Sequence, residues 1–154
     1  MPTGTRIDPY TSYLFHIEIE GIAEAMFKEC SGLQYETEVL PVEEGGVNDH
    51  VHKLPGRTKY SNLTLKRGMT ESTSLWNWYM KVVQGKVQRK NISVVLYEPV
   101  KGKAGEDSDV REVKRWSFVS AYPIKWAGPI LKADESAIGI ETLEIAHEGM
   151  TLSK

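Results

Sequence analysis

The chain has 154 residues, enough for one domain with a sizeable core, and its 40% hydrophobic and 26% charged residues are ordinary for a globular protein. Its 19 basic and 21 acidic residues leave a formal charge of -2, which argues against a general nucleic-acid binder. The single cysteine, Cys30, excludes an intrachain disulfide. No stretch is apolar for long enough to cross a bilayer as a helix, and residues 1–8 lack the apolar core of a signal peptide, so synthesis in the cytoplasm is the expectation.

The dominant pattern is period two, the signature of strands. In residues 13–20, Tyr13, Phe15, Ile17 and Ile19 share one face, while Leu14, His16, Glu18 and Glu20 share the other. That strand belongs between a core and water. Residues 25–30 read as a short, weakly patterned strand. Leu33, Tyr35, Thr37 and Val39 then alternate with Gln34, Glu36 and Glu38, predicting a half-buried strand that Pro41 blunts. From 42 to 59 the alternation is lost, and this segment reads as a long loop or a splayed hairpin.

Residues 60–67 return to strand, with Leu63 and Leu65 inward. The period then changes. Leu75, Trp78, Tyr79 and Val82 form one apolar stripe of a helix at about 71–84, with Thr70 as a candidate N-cap and Gly85 as its stop. Residues 91–97 are apolar on both parities, which predicts a strand buried on both sides, beneath the helix. A polar hairpin tip follows at 101–112. Residues 114–122 form a further strand, and Pro123, Gly128 and Pro129 punctuate a connection carrying Trp126. In residues 137–148, Ile138 and Ile140 share one parity and Leu143 and Ile145 the other, predicting a bulge or corner near Glu141. No repeat and no second domain is visible.

No catalytic motif stands out. His50 and His52, beside Asp49, place two imidazoles at i, i+2, where a strand would bring both to one metal ion. A third ligand cannot be nominated, so a polar loop is the stronger reading, with no metal and no cofactor. His16 and His147 fall on polar strand faces. Cys30 has no nominated histidine and reads as a buried structural thiol. Glu141, Glu144 and Glu148 could be imagined as acid–base carboxylates, but alternation makes some of them an ordinary solvated face. Trp76 lies off the helical stripe, where exposure would make it a contact for another subunit. The 42–59 segment is polarised: Glu43, Glu44 and Asp49 precede Lys53, Arg57 and Lys59. Such a segment can pair head to tail with a copy of itself, or neutralise itself within one hairpin.

An ordered set of pieces resembles the contractile phage tail tube protein family. It runs through Phe15-His-Ile-Glu-Ile-Glu-Gly21, Cys30-Ser-Gly-Leu33, Lys53-Leu-Pro-Gly-Arg-Thr-Lys-Tyr60 and Leu63-Thr-Leu-Lys-Arg-Gly68. It continues through Leu75-Trp-Asn-Trp78 and Ile124-Lys-Trp-Ala-Gly128 to Ile140-Glu-Thr-Leu-Glu-Ile-Ala-His-Glu-Gly149. The family includes inner tubes of phage-like injection systems, and is similar in fold to type VI secretion tube proteins. The resemblance implies a mainly β fold of two packed antiparallel sheets with one flanking helix, in a single domain over 1–154 whose first dozen residues form an N-terminal arm. It further implies six-membered rings that stack into a hollow tube within a contractile sheath, with baseplate and tube-terminating partners. Protein cargo could occupy the lumen, or DNA could transit it in a phage tail. The 42–59 loop would reach the next ring through Glu43, Glu44, Asp49, Lys53, Arg57 and Lys59. The face bearing His16, Glu18 and Glu20 would line the lumen or meet the sheath. Two other readings compete: a monomeric ligand-binding β-barrel, which requires an enclosed apolar pocket, and a metal enzyme using His50 and His52.

Overall fold

The computed structural model describes residues 14–22, 27–43, 51–100, 110–134 and 136–153, so the expected arm at 1–12 and most of the 101–112 tip lie outside the described residues. In chain order the strands are β1 (Phe15–Ile19), β2 (Glu29–Ser31), β3 (Tyr35–Glu43), β4 (Val51–Tyr60), β5 (Leu63–Gly68), β6 (Lys90–Pro99), β7 (Val110–Ala127), β8 (Ile140–Ala146) and β9 (Met150–Ser153). The helix α1 (Ser74–Val83) joins β5 to β6.

Seven strands form one antiparallel sheet in the order β1-β6-β7-β8-β5-β2, with β9 added alongside β7. Alternation decides its two faces. β1 buries Ile17 and Ile19 and exposes His16 and Glu18, while β5 buries Leu63 and Leu65 and turns Thr64 and Lys66 outward. The inward residues of both halves, Ile17, Ile92 and Val94 from one and Leu63, Leu143 and Ile145 from the other, meet in a single core around Phe118. The two packed layers are thus two halves of one curled sheet, and β3 and β4 form a separate two-stranded sheet.

The curl is made by β7. Its first part pairs with β6 and β9, and its second part, from Tyr122 onward, pairs with β8. Between them Ser120 adopts φ 51°, a left-handed conformation costly for a residue with a Cβ, and its N–H reaches Asn91 Oδ1 at 3.4 Å. The corner predicted in the last strand therefore lies in β7, which runs on through Pro123 and Trp126 where a connection is expected. β8 keeps one inward parity: Glu141, Leu143, Ile145 and then His147 are buried, and Ile138, outside the strand, is exposed. An inward-facing glutamate gives the false appearance of a parity switch.

The helix is shorter than the 71–84 expectation and docks on β7 rather than over β6, placing Leu75 and Trp78 in the core. Its N-cap is Thr73 rather than Thr70, without a side-chain cap bond. At its C-terminus the Gly85 N–H donates to Val82 O and the Lys86 N–H to Lys81 O. These two bonds with Gly85 at φ 78° make a Schellman cap, as the glycine stop predicts.

Gly32, where the chain leaves β2 for β3, is fixed more tightly. It sits at φ 99°, and a Cβ there would lie 2.0 Å from the Asn62 carbonyl oxygen. Gly32→Ala is expected to destabilise the fold by more than the ~1–3 kcal/mol that the backbone conformation alone costs. Urea denaturation of the variant checks this, and an unchanged midpoint would contradict the close crossing.

Candidate assembly surface

β3 and β4 pair antiparallel from Tyr35↔Tyr60 to Glu43↔Val51, with a bulge between Thr37 and Val39. The segment read as a long loop or splayed hairpin is thus, over 51–59, one strand of a ribbon. Prolines do not end these strands, because among the described residues neither has a second neighbour and a proline can face the open edge. Pro41 pairs with Lys53 and Pro55 with Val39.

The expected half-burial of this strand is not observed. Val39, Leu40 and Leu54 are 56%, 51% and 51% exposed, and Tyr35, Val42 and Tyr60 are exposed as well. Leu40 and Leu54 are register partners, so their side chains form one contiguous apolar surface. Scattered exposed leucines are unremarkable, but a continuous apolar stretch on a ribbon with no core beneath it marks a contact surface. Sequence reasoning, fixed on charges, passed over these residues. The available signal was apolar side chains on both parities of 39–42, followed by Leu54 between polar neighbours.

Of the charges expected on this segment, Lys53, Arg57 and Lys59 are brought together as exposed residues of β4. The Lys59 ammonium lies 3.6 Å from Glu38 in the same ribbon, an exposed pair worth roughly 0–1 kcal/mol. Glu44, Asp49 and His50 lie outside the described residues, as do the side chains of Glu43 and His52, so the histidine-pair site falls there too.

Both strands of the ribbon are fastened at one root. The Tyr35 hydroxyl donates to Met150 O at 2.6 Å and accepts the Met150 N–H at 2.9 Å. Tyr60 meets Tyr35 edge to face at 5.7 Å and stacks on His147 at 4.6 Å. His147 is 7% exposed, contrary to its expected place on a polar face, and its other side meets the edge of Phe118. Its Nδ1 accepts the Gly149 N–H at 3.2 Å, so the ring proton belongs on Nε2, which donates to Ser61 O at 3.1 Å.

The second expected surface, His16 with Glu18 and Glu20, is exposed as parity predicts, and its carboxylates are engaged. Arg115 donates through Nε to Glu112 at 2.6 Å and through Nη1 to Glu18 at 3.1 Å. Those carboxylates, Glu112 foremost, hold the guanidinium still more firmly protonated than usual. Glu20 accepts the Asn91 N–H at 3.1 Å.

At the opposite edge, beside β2, lies an open groove of about 620 Å³ lined by Lys28, Glu29, Lys66, Lys132, Ile130 and Ile138. It is open, not the enclosed apolar pocket that the ligand-binding reading requires, and among the described residues the sheet's inward side chains pack into one core cluster. Burial pushes the Cys30 thiol up to about 12, which suits a structural cysteine and not a nucleophile. Trp76 is partly exposed and lies edge to face with Trp126 at 4.7 Å. Among the described residues no group of three or more His, Cys, Asp or Glu could hold a metal ion, and no helix is long and apolar enough to cross a membrane.

The family model for the T4-like virus tail tube protein gp19 matches residues 11–151. No curated protein sequence is a significant match. Among solved structures, a chain of the anti-feeding prophage baseplate, 6-fold symmetrised, is 25% identical with a TM-score of 0.78, over 96% of this chain and 97% of its own. A chain of the sheath–tube complex of the PVC extracellular contractile injection system, in the extended state, is 22% identical with a TM-score of 0.75, over 94% and 91%. Hcp1 from Flavobacterium johnsoniae is 17% identical with a TM-score of 0.50, over 91% and 94%. The latter two show a shared fold. The family match spans the curled sheet and the ribbon alike, and the chain belongs to the T4-like virus tail tube protein family.

Proposed function

We propose that this tail tube protein acts without catalysis, as the repeating subunit of the inner tube of a contractile tail or injection particle. Six copies close into a ring, rings stack into a hollow tube, and sheath contraction drives that tube through a target envelope. The observation that carries this reading is the ribbon with Val39, Leu40, Val42 and Leu54 uncovered on a protein whose core is complete without them. The ribbon reaches the next ring through those apolar residues, with Glu43, Glu44, Asp49, Lys53, Arg57 and Lys59 setting register more than affinity. Within a ring, the terminal strands β1 and β2 of the curled sheet join neighbouring copies edge to edge, which removes two open edges per subunit. The face bearing His16, Glu18 and Glu20 lines the lumen or meets the sheath.

The partners are then further copies of this chain, a sheath protein, a baseplate and a tube-terminating protein, as in the complexes that contain the structural neighbours. Protein cargo, or DNA in a phage tail, passes through the lumen without specific nucleic-acid recognition. Assembly takes place in the cytoplasm before the particle is released or anchored.

Electron microscopy of the purified chain tests this directly. Rings or tubes of uniform width are expected, and a strictly monomeric particle at high concentration, absent also from sheath-containing assemblies, would sink it. Arg57→Glu is expected to shorten or abolish stacks while leaving the fold intact. Normal long tubes from that variant would remove Arg57 from the stacking contact.

A further inference from the structure

We propose that His147, in its neutral form, is the positioning residue that fixes the pose of the ribbon, and that acid releases it. The inference rests on the stacking role of the ribbon. The turn from His147 to Met150 holds both strands of the ribbon at once: β4 through the Tyr60 ring on His147, and β3 through the Tyr35 hydroxyl on the Met150 backbone. Within the turn the Gly149 N–H donates to His147 Nδ1, with Gly149 at φ 153°, and two bonds to β7 frame it, from the Glu148 N–H to Val119 O at 3.0 Å and from the Val119 N–H to Gly149 O at 3.2 Å.

That bond requires an unprotonated Nδ1. A second proton on the ring goes to this atom, and two donors then face each other at 3.2 Å. An aromatic face tolerates a cation, so the stack on Tyr60 can persist. What fails is the hold of the ring on the Gly149 amide, and with it the link between the Tyr60 stack and the backbone that Tyr35 grips, while the two bonds to Val119 remain. Tyr60 on β4 stacks on the ring and β7 presents Phe118, while Tyr35 on β3 meets Tyr60, Glu144 belongs to β8 and Glu148 follows His147 in the turn. Glu144 accepts from Asn62 at 3.1 Å and Glu148 from Arg89 at 3.2 Å, so both carboxylates are engaged elsewhere.

The experiment follows tube assembly of the full chain by sedimentation and electron microscopy between about pH 8 and about pH 5, the window in which histidine is the side chain that changes charge. Wild-type assembly is expected to weaken on acidification by about tenfold per contact, the upper range for one lost hydrogen bond. His147→Gln keeps a donor and an acceptor but does not titrate, and its tubes are expected to be indifferent to pH. An acid response that survives in His147→Gln belongs to His16, His50 or His52 and overturns the proposal, as does a wild-type tube indifferent to pH. Absence of tubes at every pH would instead overturn the tube reading itself. Because His147→Gln places a foreign side chain in a buried site, the unaltered protein is followed in parallel by NMR. The Gly149 and Met150 amide signals should move together with the His147 ring as it titrates, and amides that stay fixed overturn the proposal.

Discussion

Leu40→Asp combined with Leu54→Asp is expected to abolish tube formation and leave a folded, soluble subunit. The two leucines face each other across the ribbon, each 51% exposed, and neither belongs to the core. Covering their exposed halves at a ring contact is worth roughly 1.5–3 kcal/mol per subunit. Aspartate removes that gain and adds the cost of burying a carboxylate without a partner, about 2 kcal/mol or more. The penalty recurs at every subunit of a ring, so the expected result is loss of tubes rather than shortening. The free subunit should be indifferent, since exposed substitutions away from special features usually change stability by only about 0.5 kcal/mol. Electron microscopy reads the first outcome and thermal unfolding the second. Long tubes from the double variant would mean that the ribbon's apolar face is not a contact.

Glu141→Ala is expected to cost the fold about 3–5 kcal/mol, the usual size when one partner of a buried ion pair is removed. Arg67 and Glu141 are register partners on β5 and β8, each 3% exposed, with Nε to Oε1 at 2.7 Å. The carboxylate also accepts from Trp126 Nε1 at 2.9 Å. Arg67 lies 6.0 Å from the centroid of the Phe27 ring, and its Nη2 has no hydrogen-bond partner among the described residues. Deleting the carboxylate leaves a buried cation with nothing to neutralise it. Replacing both residues, as in Arg67→Met with Glu141→Leu, should recover most of the loss, because well-packed apolar pairs often match buried ionic ones. Guanidinium denaturation of the three proteins measures this. A single variant that loses less than about 1 kcal/mol would show that Arg67 finds another partner or water.

The same pair explains where sequence reading stopped short. Strands whose inward residues are all apolar, as in β1 and the first part of β5, were legible from alternation alone. β8 was not, because Glu141 occupies an inward position that is tolerated through Arg67, 74 residues away, and Trp126. His147 misleads in the same way: its ring is satisfied by two backbone groups and two aromatic rings that no local pattern reveals. The helix was visible through Leu75, Trp78 and its glycine stop, but its docking partner is a tertiary fact. β7 extends beyond its sequence signal because Pro123 looks like punctuation, although the strand carries on past it against a different neighbour. For the ribbon, the polarity of its charges was plain and its apolar surface was not. Alternation predicts burial for Tyr35 and Val39 only where alternating apolar residues face a core. A ribbon without a core beneath it breaks that premise.

The ribbon leaves the curled sheet from a single root, made by Tyr35, Tyr60 and His147. Any stack built through it is therefore directional. At one terminus the ribbons project with nothing to receive them, and at the other the receiving surfaces stand empty. Such a stack cannot be capped at both ends by the same molecule. Starting it and stopping it would then call for two proteins of different shape, because its two ends present different surfaces.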